Sequence, residues 1–321
     1  QGTEVMGSDL SNSEITGDLE ALGIKILIGH GRENLPHDAK LLIYSSAVPA
    51  DNPERVEAKK RNIPQMSYPE ALGELSGSYE KVIAVAGTNG KTTTTAMIGR
   101  ILEEAYEDPT VVVGSKVLSW NSNARIGSKK YLVLEADEYG RAFLHFRPDV
   151  AVITNIEADH LDYYQDIQDI IKGFGQFVDN LKAGGTIVFN ADDPNSGNLV
   201  KESKEKKIAF SLSGSSDISQ ESLPGLKLQI PGHYTWANAL AAASACSALG
   251  VPWLKIREGL EKFTGTWRRF EKIGRVGNTD IISDYAHHPT GLRVLLETTF
   301  DVYSEQPILA VFQPHQRSRT K

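Results

Sequence analysis

The stretch AVAGTNGKTTTTAM, Ala84 to Met97, constrains this chain more than any other segment. The run EKVIAVAG is apolar and β-branched, and it enters a turn of Gly87, Thr88, Asn89 and Gly90 before a helical pattern opens at Lys91. Met97, Ile98, Ile101 and Leu102 follow at three-to-four-residue spacing, an apolar stripe expected to face a sheet. Small turn residues let backbone N–H groups face an anion, and the positive end of the helix points at the same place. Lys91 adds a charge, Thr92 a hydroxyl placed for a divalent cation, and Thr93 a further first-turn amide. The general pattern has glycine where Val85 stands, so this is a variant phosphate loop. Strand, glycine turn and helix in that order is one unit of an α/β fold with a parallel sheet.

Other segments extend the sheet. TVVVGS, KYLVLEADE, DVAVITNIE and GGTIVFNADD are apolar and too short for helices. Upstream, TEVMGSD, IKILIGH and KLLIYSSAV read as strands, with SEITGDLEALG a helix between the first two. This first domain resembles a dinucleotide-type fold entered at its second strand, with an earlier strand and glycine turn expected before Gln1. SLSGSSDISQ reads as a surface loop, and WANALAAASACSALG as a small-residue helix stopped by Gly250 and Pro252. A third domain is expected to begin near TWRRFEKIG, with strands in TDIISDYAHHP and ILAVFQPHQRSRTK. Two strands are too few for an independent core, so this domain is expected to continue beyond Lys321. The resulting division is 1–78, 79–265 and 266–321.

At 321 residues the chain has room for two or three domains. Lys and Arg total 34 against 41 Asp and Glu, a formal charge of −7 that disfavours nucleic acid. A single cysteine, Cys246, cannot form an internal disulfide, and no run has the apolar length of a membrane span. QGTEVMGSDL lacks the basic start and apolar core of an export signal. A cytoplasmic protein is expected, and one without its initiator methionine, hence part of a longer chain.

Candidate groups gather at strand ends, where open α/β sheets bind ligands. Glu135 ends an apolar strand and is the first choice for a metal beside the loop, whereas Asp137 and Glu138 read equally well as a surface acidic cluster. Asn155, Glu157, Asp159 and His160 follow the next strand, and His160 in that acidic setting is a candidate for a second metal. His233 and Asn238 flank the start of the alanine-rich helix, where an asparagine amide pairs with an adenine edge or simply caps the helix. Arg268 and Arg269 suit a developing phosphate charge or plain solvation. Asp284, Tyr285, His287 and His288 cluster after a strand, without the companions of a zinc site. His315, Arg317, Arg319 and Lys321 form a basic tail able to clamp a small carboxylate.

The order GTNGKTTTT, EADE, TNIEADHLD, GHYTWANALAA, RRFE, DYAHHPT and FQPH resembles the Mur ligases, over nearly the whole chain and including GSDLSNSEIT and SSAVPADNPE. Within that family the likeness is to the alanine-adding branch. The resemblance implies three domains: a Rossmann-like one for a UDP-sugar, a central ATPase and a C-terminal one for the amino acid. It implies that ATP phosphorylates the lactyl carboxylate of UDP-N-acetylmuramate and that L-alanine attacks the acyl phosphate in peptidoglycan precursor synthesis. ATP and Mg2+ would be needed. By the same resemblance Gly87, Thr88, Asn89, Gly90, Lys91, Thr92 and Thr93 hold ATP phosphates; Thr92, Glu135 and His160 hold metal; Asn238 reads adenine; and Arg269 and Asp284 contact phosphate or ribose. His287, His288, Arg317 and Arg319 would face L-alanine, and Asp9, Ser45, Ser46 and Ala47 the UDP-sugar. The chain departs from the branch at Asn89, where histidine is usual, and at Gln316, where arginine is usual. Gly175 stands where sister ligases carry a carbamylated lysine, as expected of the alanine-adding branch. The alternatives are a recycling ligase that adds a tripeptide to the same sugar nucleotide, and a nucleotide-binding fragment without activity.

Overall fold

The computed structural model describes residues 4–214, 216–287 and 289–313. The chain divides into two compact units, Gln1–Glu74 and Leu75–Lys321.

In the first unit, β1 (Met6–Asp9) pairs in parallel with β2 (Lys25–Ile28), and α1 (Glu14–Ala21) crosses between them. Ser13 opens that helix with a capping box: its Oγ accepts from the Thr16 amide at 3.2 Å while Thr16 Oγ1 accepts from the Ser13 amide at 2.9 Å. A second crossover joins β3 (Leu42–Tyr44) through α2 (Pro53–Lys60) to β4 (Gln65–Ser67), again in parallel. Asn52 caps α2, with Pro53 in the first turn. The expected strands are present, but among the described residues they form two separate two-stranded ladders rather than one sheet. From β4 the chain enters α3 (Tyr68–Ser76), which leads into the second unit.

The second unit is built on a seven-stranded sheet. Its elements in chain order are β5 (Lys81–Ala86), α4 (Lys91–Glu104), β6 (Thr110–Val117), β7 (Ser122–Arg125), β8 (Tyr131–Glu135), β9 (Val150–Ile153), α5 (Ile167–Asp179), β10 (Thr186–Asn190), α6 (Pro194–Val200) and β11 (Lys206–Phe210). The helices α7 (His233–Ala248) and α8 (Trp253–Glu261) follow. The strand order is β11-β10-β9-β5-β8-β6-β7, parallel throughout except for the antiparallel pair β6 and β7. From β5 the chain first fills one side of the sheet and later the other, so β5 is the point where the strand order reverses. A crevice opens above the carboxyl end of such a strand, and the glycine turn lies there.

Helix α4 departs from expectation in one respect. Its stripe of Met97, Ile98, Ile101 and Leu102 is fully buried, but so are Thr94, Thr95 and Ala96, because α7 and α8 also pack against it. The approach of α8 is close: a Cβ at Gly259 would lie 2.5 Å from the Ile101 Cα.

After Thr266 the chain forms an antiparallel hairpin, β12 (Glu271–Val276) and β13 (Thr279–Ser283), followed by α9 (Pro289–Val302). The partner of the TDIIS strand is therefore the charged EKIGRV, not the apolar ILAVF; residues 308–313 form no strand. A local hairpin closes at little entropic cost, and its alternating charges hide it from a search for apolar runs.

Candidate active site

The loop after β5 needs its glycines. Gly87 has φ +137° and a Cβ there would lie 2.0 Å from Thr154 Oγ1; Gly90 has φ +87° and its Cβ would lie 2.3 Å from Asn238 Oδ1. The end of β9 clamps the loop from outside. Asn155 accepts the Thr88 amide through its carbonyl at 3.0 Å and the Asn89 amide through Oδ1 at 2.9 Å. The Asn155 Nδ2 and Thr154 Oγ1 donate to the Asn89 carbonyl at 2.9 and 2.5 Å. Thr88 and Asn89 thus use their amides on Asn155, and it is the first turn of α4, at Lys91, Thr92 and Thr93, whose N–H groups lack intrahelical partners and suit an anion.

Lys91 Nζ donates to Glu138 Oε2 at 2.7 Å and to the carbonyls of Gly87 and Thr88 at 2.7 and 3.5 Å. Burial alone would lower the ammonium pKa, but Glu138, Asp137 and Glu135 outweigh it and raise it above the ordinary lysine range. Burial raises the Glu138 carboxyl above the usual carboxylate range against the pull of Lys91, with which it pairs at 2.7 Å. Asp137 and Glu138 do not form one exposed acidic cluster: the Glu138 side chain is 3% exposed, because the turn after β8 folds inward onto Lys91, while Asp137 is exposed.

Thr92 Oγ1 donates to both oxygens of Glu135, at 3.1 and 3.0 Å, and Glu135 Oε2 also accepts the Gly114 amide of β6 at 2.7 Å. A second group joins them: ligand atoms of Asp137, Glu138 and His160 lie within 4.8 Å of one another. His160, with φ +54°, lies against the Tyr139 ring at 4.9 Å. Both groups supply the oxygen-rich donors that Mg2+ prefers. Glu138 Oε1 is buried without a hydrogen-bond partner, as a metal ligand would be.

Lys91, Thr92, Glu135, Asp137 and His160 line a cavity of about 810 Å3 that also takes in His233 and Asn238 of α7, the turn at Arg269 and Phe270, and Asp284, Tyr285, His287 and Thr290. Asn238 lies against Gly90 and accepts from Thr94 Oγ1 at 3.3 Å. Asp284 accepts the amides of Phe270 and Ala286, each at 2.7 Å, so its carboxylate shapes the turn. Arg269 stacks 5.5 Å from the Tyr285 ring, and His287 Nδ1 lies 2.8 Å from the Tyr285 carbonyl. Thr290 donates to Glu157 Oε2 at 2.9 Å, tying the start of α9 to the end of β9. His288, Arg317 and Arg319 lie outside the described residues, as do His315, Gln316 and Lys321.

In the first unit, Asp9 ends β1, paired with Ile28, its Oδ1 accepting the Ser11 amide at 3.1 Å, and Ser45, Ser46 and Ala47 are exposed after β3. Nearby is a polar hub that sequence reasoning did not single out. Glu54 accepts from Ser8 Oγ at 2.6 Å and from Asn34 Nδ2 at 2.8 Å, beside His30. Asn155 and Thr154 were likewise not assigned as loop clamps. Their only signal is position, at the end of the strand adjacent to the phosphate-loop strand.

Comparison with known proteins agrees with the geometry. The family model described as Mur ligase middle domain matches residues 85–246, that of the Mur ligase family catalytic domain residues 1–80, and that of the Mur ligase glutamate ligase domain residues 268–321. A protein of Acetivibrio thermocellus named UDP-N-acetylmuramate–L-alanine ligase is 41% identical over 340 residues, spanning 100% of this chain and 72% of its own length. One of the same name from Persephonella marina is 41% identical over 334 residues, with the same coverage of 100% and 72%. Among solved structures, the UDP-N-acetylmuramate-alanine ligase of Thermotoga maritima superposes with a TM-score of 0.83 at 30% identity, covering 98% of this chain and 75% of that one. With family models along almost its whole length, and with the strand order, loop and acidic strand ends found above, the chain belongs to the Mur ligase family.

Proposed function

We propose that the protein is an ATP-dependent ligase that joins L-alanine to the lactyl carboxylate of UDP-N-acetylmuramate, releasing ADP and phosphate. The observation that carries this reading is the convergence of Lys91, the Thr92–Glu135 pair and the C-terminal residues Asp284, Tyr285 and His287 on one cavity. Relatives 41% identical bear that enzyme's name. The division 1–78, 79–265 and 266–321 would serve UDP-sugar, ATP and amino acid in turn.

A free carboxylate is a poor electrophile. Transfer of the γ-phosphoryl group to a lactyl oxygen gives an acyl phosphate and ADP; the amine of L-alanine then adds to the carbonyl carbon, and the C–O bond to phosphate breaks. The protein's contribution is alignment and charge neutralisation. On the loop shaped by Gly87, Thr88, Asn89 and Gly90, the amides of Lys91, Thr92 and Thr93 would cradle the β- and γ-phosphates, with Lys91 as the cation and Arg269 meeting charge that develops during transfer. Asn238 would read the adenine edge, and Asp284 would hold the turn against the ribose. Thr92 and Glu135 would hold one Mg2+ and His160 the second; such ions neutralise charge on the transferring group when bound. His287 and His288 would face the amine, with Arg317 and Arg319 on its carboxylate, and Asp9, Ser45, Ser46 and Ala47 would line the UDP-sugar. Among the described residues no helix is long and apolar enough to cross a membrane. Use of ATP and a nucleotide sugar fits cytoplasmic work in cell-wall synthesis, which cell shape and division require.

The test is product analysis with ATP, Mg2+ and UDP-N-acetylmuramate, offering L-alanine, L-serine, glycine and the tripeptide separately. An amide with L-alanine is expected. Product with the tripeptide alone would assign the recycling reaction, and nucleotide binding without any product would leave only a binding module.

A further inference from the structure

An ammonium has three donor positions, and those of Lys91 are directed at Glu138 Oε2 and the carbonyls of Gly87 and Thr88. A lysine so held must exchange a partner before it can meet a phosphate. Its most strongly held partner is itself divided: Glu138 Oε2 carries the ion pair, while Glu138 Oε1 is buried with no hydrogen-bond partner and belongs to the group with Asp137 and His160. We infer that Glu138 is an exchangeable counter-ion, which forms a divalent-cation site with Asp137 and His160 and releases Lys91 to the nucleotide when the cation binds. This rests on the nucleotide-site reading proposed above.

The spacing and the anchoring favour a side-chain swing. Ligands trans to each other on an octahedral ion sit about 4.2 Å apart with bonds near 2.1 Å, so a set within 4.8 Å closes with a small movement. The backbone of Glu138 is pinned. Tyr164 Oη donates to its carbonyl at 2.5 Å, and Arg141, 5.5 Å from the Tyr164 ring, is itself held by Gln176 and Asp169, each at 2.6 Å. Only the carboxylate is left to move between lysine and metal. Because one carboxylate serves both, cation and nucleotide should tighten each other's binding through it.

The experiment measures calorimetric binding of the non-hydrolysable analogue adenylyl imidodiphosphate to the full protein, in EDTA and in Mg2+, for wild type, Glu138→Gln and Asp137→Asn. Glu138→Gln should bind the analogue in EDTA about tenfold tighter than wild type, and the gain from Mg2+ should shrink by a similar factor. Asp137→Asn, an exposed change, should weaken binding of Mn2+ alone, followed by electron paramagnetic resonance, about tenfold. Unchanged binding of Glu138→Gln in EDTA would overturn the exchange. If that variant does not fold, equal Mn2+ affinity in wild type and Asp137→Asn overturns it instead. Failure of the wild type to bind the analogue under either condition would sink the nucleotide-site reading itself.

Discussion

The carboxamide of Asn155 accepts from the Asn89 amide and donates to the Asn89 carbonyl, so one side chain fixes both ends of that loop residue. At about 1 kcal/mol net for each hydrogen bond, Asn155→Ala should cost about 2 kcal/mol of loop order and weaken Mg2+-nucleotide binding roughly 30-fold. Calorimetry checks this, with the melting temperature expected to change little. Gly87→Ala is harsher, since it meets both a left-handed φ of +137° and Thr154 Oγ1 at 2.0 Å from the new Cβ. A loss of about 2–4 kcal/mol in urea unfolding and abolished nucleotide binding are expected. Lys91 and the Thr92 hydroxyl were legible because the strand–turn–helix pattern defines their positions, and Glu135 because it ends an apolar strand. Glu138 was not: in EADE nothing distinguishes the carboxylate that turns inward from the one that faces water, since an irregular turn decides it.

Among elements, the tightest junction is α8 on α4 at Gly259. Gly259→Ala places a Cβ 2.5 Å from the Ile101 Cα, and forcing the helices apart should cost about 1–3 kcal/mol, read by chemical denaturation. Asp149, before β9, ties the strand starts together, accepting from Lys182 at 2.8 Å, the Val82 amide at 2.9 Å and Lys81 at 3.1 Å. Burial alone would raise its carboxyl, but those bonds outweigh it and set the pKa below the usual 3.8. A carboxyl lowered on folding contributes stability above its unfolded pKa and loses it as pH falls through the folded one. Asp149→Asn should therefore cost about 2 kcal/mol at pH 7, and the difference from wild type should fade below about pH 4. Urea titrations across that range measure it. The central strands were legible because strands buried on both faces are continuous apolar runs. The edge strands SNAR and KKIAF, and the hairpin strand EKIGRV, were not, because solvent-facing positions leave no apolar run to find.

For the whole molecule, motif order made the family legible, and GTNGKTTTT, EADE and TNIEADHLD follow strand ends that the α/β rule already marks for ligands. Within the second unit, the chain reaches the β12–β13 hairpin through Arg268 and Phe270, both with positive φ, and Thr290 returns to Glu157. That arrangement suits closure of the C-terminal segment over the phosphates, which would keep water from an acyl phosphate. ATP turnover should accordingly be much slower without UDP-N-acetylmuramate and L-alanine than with both, and equal rates would exclude such gating. In the proposed reaction the lactyl carboxylate is phosphorylated before the amide forms. The most direct test of that step is turnover of UDP-N-acetylmuramate carrying 18O in that carboxylate, with ATP, Mg2+ and L-alanine, followed by mass analysis of the released phosphate. Passage of one 18O atom into each phosphate is the predicted result; amide formed with no label in phosphate would contradict it.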